Sequence, residues 1–312
     1  MRTQLPFALI AAAVVCSHFI SAADAAARDR VFVASYGNDA NPCTFGSPCK
    51  TFQQAVSVVA AGGEVTAIDS AGFGPITITQ AVTITSPNGV EAGIVPPANG
   101  DAITINAGAS DVIQLHGLTV NGSGVGHNGI TFNTGASLII ADCVIRNFGN
   151  EGIYFNPSAS STLRISDTLL DNNVDAGIWL LQSGSTTVTA AFERVEASNN
   201  HNGFVIEGSA AIGAVLYATI ADSVATNNAN AGMAAASATT TLMVFRSVVS
   251  NNNGVGLLAQ GTGATLLVGQ STVTGNGIGW ALLSGGTLQS YGDNKIDGNT
   301  TNQPPPALIS NK

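Results

Sequence analysis

Charge is scarce in this chain: 9% of its 312 residues are Asp, Glu, Lys or Arg, and the 10 basic residues are outnumbered by 19 acidic ones. A net charge of −9 excludes recognition of a nucleic-acid backbone, which depends on clustered Lys and Arg. A polyanionic polysaccharide would also be repelled unless cations bridged it. Low charge alone would fit disorder, but the hydrophobic fraction of 45% and its regular placement exclude that. Cysteine is sparse as well, with four in all, and Cys43 and Cys49 have no further Cys or His nearby, which excludes a zinc site. After the first twenty residues no apolar run is long enough to cross a membrane.

The one long apolar run, Leu5 to Ile20, follows Arg2 and precedes the small residues Ala23-Asp24-Ala25-Ala26-Ala27. Residues 1–25 read as a cleavable secretory signal. Cys16 leaves with it, and the mature product is expected to be secreted or periplasmic, with no membrane span. In an oxidising compartment Cys43 and Cys49, six residues apart in a turn-rich stretch, read as a structural disulfide, and Cys143 as a buried free thiol.

A unit of about 25 residues recurs through the rest of the chain. Each unit opens on a glycine and an apolar strand, as in Gly152-Ile153-Tyr154-Phe155, Gly177-Ile178-Trp179-Leu180 and Gly203-Phe204-Val205-Ile206. A second strand follows, then an acidic or polar turn, a third short strand and an asparagine, as in Asp142-Cys143-Val144-Ile145-Arg146-Asn147. The inward positions of the third strand are read as Leu118, Val144, Leu169, Val195, Val224, Val248, Val273 and Ile296. The asparagines 147, 172, 227, 251, 276 and 299 then stack in one ladder, with Ser198 or Asn199 in the remaining coil. Thr51 to Ala60 is predicted as an amphipathic helix burying Phe52, Ala55, Val56 and Val59 and ended by Gly62-Gly63, a cover for the first coil.

The sequence thus predicts an all-β right-handed parallel β-helix, a solenoid of about nine or ten coils with three strands per coil and a short N-terminal capping helix. The divisions are 26–63 for the cap, 64–300 for the β-helix and 301–312 for a C-terminal tail. Asn302-Gln303-Pro304-Pro305-Pro306 cannot continue a ladder and is expected to peel away. With Pro48-Cys49-Lys50-Thr51-Phe52 in the cap and these coils, residues 31–300 resemble the right-handed parallel β-helix proteins of the pectin lyase-like superfamily. The resemblance implies a substrate cleft along the outer face of the first strand, but that superfamily spans pectate lyases, polygalacturonases, esterases and members without assigned activity. The motif sets of its pectinases are missing: Gly126-His127-Asn128 and Arg164-Ile165-Ser166 only echo polygalacturonase motifs, and no acidic pair accompanies them.

Strand alternation places Thr131, Tyr154, Trp179, Val205, Ala234, Leu258 and Ala281 outward, with a second outward column through Asn133, Asn156, Leu181, Glu207, Ala236, Gln260 and Leu283. Tyr154, Trp179, Asn156 and Glu207 are the candidate ligand-binding residues, the rings as stacking platforms for sugar. At the turn entering the first strand stand His127, Asn150, Asp175, His201 and Asn230. Asp175 beside His201, with Glu151 and Glu207 close by, is the candidate catalytic set, because a carboxylate can orient a histidine as general base. No cofactor is called for, calcium being the one exception. Its candidate ligands are Asp142, Asp167, Glu193 and Asp222, in a turn ladder from His116 to Arg246, Ser271 and Asn294. The competing reading of that ladder is backbone capping. Two functions stay open: a non-catalytic exported β-helix that binds polysaccharide or a cell-surface glycan or serves as a surface interaction module, and a polysaccharide lyase or glycoside hydrolase acting near Asp175 and His201.

Overall fold

Alternating apolar strands with a glycine or asparagine at every corner leave the backbone one economical course, a coil whose strands pair with those of the coils before and after it. The computed structural model describes residues 28–309, so the proposed signal segment lies outside the described residues. Nine first strands, from Ile76–Ile78 and Ile103–Asn106 through Ile153–Phe155, Ala176–Leu181 and Asn202–Glu207 to Ile278–Leu283, form one parallel sheet. The second and third strands form the other walls of the coil, and in Ser161–Asp171 and Thr187–Ser198 they run on as single bent strands. The fold is therefore an all-β right-handed parallel β-helix of about nine turns, with one helix among the described residues.

The core is a stack of inward columns. Ile153, Ile178, Phe204 and Met233 follow one another in register on the first strand, as do Phe155, Leu180, Ile206 and Ala235, and all are fully buried. Phe132 and Phe155 stack at 4.4 Å. Each such aliphatic or aromatic side chain withdrawn from water contributes about 1.5–3 kcal/mol, and no single coil could bury one alone.

In four coils the third strand differs from the sequence reading by one residue, while Val273 and Ile296 stand inward as read and Leu118 and Val195 are buried. The inward column is Val120, Ile145, Leu170, Ala197, Ala225, Val249, Val273 and Ile296, whereas Val144, Leu169, Val224 and Val248 face outward. Because side chains alternate with period two, a one-residue shift moves the whole set to the other face. The shift arises at the corner, where one residue adopts a left-handed conformation, as at Asp142, Asp167, Arg194, Asp222 and Arg246, and breaks the alternation.

The same shift divides the asparagines into two ladders. Asn147, Asn172, Asn199, Asn227 and Asn251 are the left-handed residues of the second corner, while Asn173, Asn200, Asn228, Asn252, Asn276 and Asn299 form a buried column. In that column each amide Nδ2 donates to the next Oδ1, at 2.8–3.3 Å from Asn173 to Asn299. The anchoring glycines follow from this: a Cβ on Gly203 would stand 2.4 Å from Gly232 O and 3.1 Å from Asn228 Nδ2.

The cap differs in extent. The helix is Phe52–Val58, with Thr51 Oγ1 accepting from Gln54 N, and the chain turns at Val59 into a strand, Val59–Ala67, paired with Arg28–Val33. The β-branched residues Val58 and Val59 favour that strand, and Gly62-Gly63 lies within it rather than ending the helix. Cys43 and Cys49 form the disulfide, with Cα atoms 4.6 Å apart, and Cys143 is a buried free thiol. The tail does not peel away: Ala307–Leu308 pairs in parallel with Gln289 and Ser290 across the last coil.

Candidate functional site

On the first-strand face both outward columns run in the predicted register, Thr131, Tyr154, Trp179, Val205, Ala234, Leu258 and Ala281 in one and Leu181, Glu207, Ala236, Gln260 and Leu283 in the other. Tyr154 and Trp179 meet edge to face, with centroids 6.0 Å apart and planes at 78°. Trp179 Nε1 donates to Glu207 Oε2 at 3.2 Å, and Ser237 Oγ donates to Glu207 Oε1 at 3.2 Å. Asn156 Nδ2 donates to the Tyr154 hydroxyl at 3.1 Å and its Oδ1 accepts from Ser183 at 2.7 Å. The four candidate ligand-binding residues therefore stand on one face, linked by hydrogen bonds in the pairs Trp179–Glu207 and Tyr154–Asn156.

Beyond Glu207 the face forms a groove of about 320 Å³. Val205, Ala234 and Leu258 make its floor, and Asn202, Asn230, Ser237 and Gln260 are among its walls. Small apolar residues on successive coils keep the floor low, and polar residues at the strand ends supply donors and acceptors on both sides. Such a surface suits a ligand with apolar ring faces and hydroxyl edges.

The turn entering the first strand is arranged differently from expectation. Asp175 and His201 occupy successive coils, as the register predicts, but their side chains form no hydrogen bond and His201 is exposed. The carboxylate–histidine pair lies three coils earlier, where His127 Nδ1 is 3.0 Å from Asp101 Oδ1. Asp101 also accepts from Thr131 Oγ1 at 2.6 Å and from Asn128 N at 3.1 Å. Asn150 Nδ2 is 3.5 Å from His127 Nε2 and hydrogen-bonds Glu151. Glu151 is only 2% exposed, and its carboxyl is pushed up to about 7 by burial and by the nearby Asp175 carboxylate, with His127 partly opposing them. Glu151 thus sits with Asp175, Asp101 and His127, apart from Glu207. Asp101 was missed because the column was begun at His127; extended one coil back, the register opposes Asp101 to Asn128.

The acidic turn ladder is interrupted. At the first corner Arg194, not Glu193, takes the left-handed position, and Arg246 takes it two coils on. Arg194 forms a bidentate pair with Asp167, at 2.6 and 2.8 Å, and also contacts Glu193; Arg246 does the same to Asp222, at 2.8 and 2.6 Å. These guanidinium hydrogen bonds hold the Asp167 and Asp222 carboxyls below the usual range. Asp142 pairs with His116 Nε2 at 2.8 Å. Asp142, Asp167, Glu193 and Asp222 are therefore not assembled as a calcium groove, and among the described residues no group of three or more His, Cys, Asp or Glu is placed to hold a metal ion.

A family model described as a right-handed beta helix region matches residues 67–192, and one described as periplasmic copper-binding protein (NosD) matches residues 158–304. Within the second stretch the soft donors do not fit a copper ion: His201 is exposed at a turn, Met233 is buried in the core, and Met243 lies on the second strand. No curated protein matches the chain. Among solved structures, the pectate lyase Pel9A is 16% identical, with a TM-score of 0.62 over 84% of this chain and 74% of that one. An alginate lyase from Paenibacillus sp. str. FPU-7 is 12% identical, with a TM-score of 0.61 over 90% of this chain and 98% of that one. At these identities the likeness is one of fold. Together with the β-helix match and the coil register, it shows that the chain has the right-handed parallel β-helix fold.

Proposed function

We propose that this protein is an exported polysaccharide-binding β-helix, which lays a glycan chain along the first-strand face over Tyr154 and Trp179 and into the groove beyond Glu207. The carrying observation is the continuity of that face: Trp179 is hydrogen-bonded to Glu207, which lines the groove floored by Val205, Ala234 and Leu258. An aromatic ring offers a sugar its apolar face, and Asn202, Asn230, Ser237 and Gln260 meet its hydroxyls. The polysaccharide lyases of similar fold support a polysaccharide as the partner class. The Cys43–Cys49 disulfide supports an oxidising compartment, as does the match to a periplasmic family. Affinity electrophoresis in polysaccharide gels tests the reading. Retention by at least one polymer should fall about tenfold in Trp179→Ala, the loss expected for one central aromatic contact; retention unchanged in that variant would sink the proposal.

A second reading, catalysis on the same polymer, is favoured by one observation: His127 is oriented by Asp101 beside Glu151, whose carboxyl titrates near neutrality. Incubation with a polysaccharide panel, followed for new reducing or unsaturated ends, decides it. Product that disappears in His127→Ala supports catalysis, and no product from any polymer excludes it for that panel.

A further inference from the structure

The distribution of charge around the proposed groove specifies its ligand more narrowly than "polysaccharide". Of the chain's ten Lys and Arg, Arg2 and Lys312 lie outside the described residues. Arg28, Arg30 and Lys50 are in or beside the cap, and Arg146, Arg164 and Lys295 are on second or third strands. Arg194 and Arg246 stand at the corner between those strands, each held by an aspartate. Among the described residues, no Lys or Arg belongs to the first-strand sheet.

The acids are placed the other way. Glu207 lines the groove itself, with each oxygen engaged by one donor, Trp179 or Ser237. Asp101, Glu151 and Asp175 lie along the turn where the chain enters the face, accompanied there by His127 and His201. A polymer with a carboxylate on every sugar would lie against Glu207 with no guanidinium or ammonium to receive it. Like charges opposed in a partly desolvated site are a strong discriminator.

Building on the binding reading above, we infer that the first-strand groove selects uncharged polysaccharide and rejects polyuronates. The hydroxyls of a neutral sugar find donors in Asn202, Asn230 and Gln260 and an acceptor in Glu207, and the ring face finds Trp179. This separates the chain's ligand chemistry from that named for the pectate and alginate lyases of similar fold.

The test is quantitative affinity electrophoresis of the intact protein in galactomannan and β-glucan gels against polygalacturonate and alginate gels, at low and raised salt, with and without calcium. At low salt a neutral polymer should bind at least about tenfold more tightly than either polyuronate. Raising the salt so that the Debye length shrinks to about 8 Å or less should narrow that ratio, as should Glu207→Gln. A polyuronate bound as tightly as the neutral polymers, with binding lost in Trp179→Ala, overturns the charge selection while leaving the binding reading intact. A preference insensitive to both salt and Glu207→Gln also overturns it, since shape rather than charge would then set the ratio. Failure of every polymer to bind removes the binding reading and this inference with it.

Discussion

Glu151 shows what one buried acid does to the pH response of the whole coil. Its carboxyl moves from an ordinary 4.5 to about 7, first because burial disfavours the ionised form and second because Asp175 is close. Between those values the folded protein holds a proton that the unfolded chain has lost. Stability contributed by this group is therefore fully present below about pH 4.5 and is lost as pH rises through about 7, by roughly 3 kcal/mol at 1.36 kcal/mol per unit. Glu151→Gln keeps a polar partner for Asn150 without the charge. Its thermal midpoint should match that of the wild type at pH 5 and exceed it at pH 8; a variant less stable at pH 8 would show that the ionised carboxylate is instead needed there. Glu151 itself was legible in the sequence as a site residue. His127 was legible in the same turn column but without its partner, and Asp101 was not, because it comes from the coil before and only the strand register brings the two together.

At the scale of the strand, legibility depended on pattern contrast. The first strands alternate against a leading glycine, so Ile153 and Phe155 read inward and Tyr154 outward without ambiguity. The third strands offer adjacent apolar pairs, Val144-Ile145, Leu169-Leu170 and Val248-Val249, and either member satisfies a period of two. The left-handed corner residue decides between them, and its place drifted by one residue where Arg194 follows Glu193, which also made the acidic ladder look continuous. The two leucines test the register directly. Leu170→Ala removes a fully buried side chain from the core and should cost about 2–5 kcal/mol in denaturant unfolding. Leu169→Ala, on the outer surface of the same strand, should cost less than half as much. Equal losses would mean that the third strand sits in the other register.

At the scale of the molecule, a parallel solenoid has two ends where backbone groups and apolar columns would otherwise stop in water. The helix Phe52–Val58 and the strand Arg28–Val33 cover the first end with Phe52, Ala55, Val56, Val31 and Val33 buried. At the other end the last inward residues, Trp280 and Ile296, are only partly buried. The tail crosses this end: Pro305, Pro306 and Leu308 line one cavity with Trp280 and Ile296, and Ala307–Leu308 extends the ladder from Gln289–Ser290. The three prolines 304–306 carry no backbone donor, so the tail covers the core there without offering an edge of its own. A chain ending after Asn302 should expose Trp280 and leave Thr287–Ser290 unpaired on its outer side. The expected outcomes are a red-shifted tryptophan emission, a lower thermal midpoint and concentration-dependent association in sedimentation velocity, with polysaccharide retention through Trp179 preserved because that residue lies four coils away. A truncated chain that stays monomeric at the wild-type midpoint would show that the tail is not the cover of this end and that the final coil is self-sufficient.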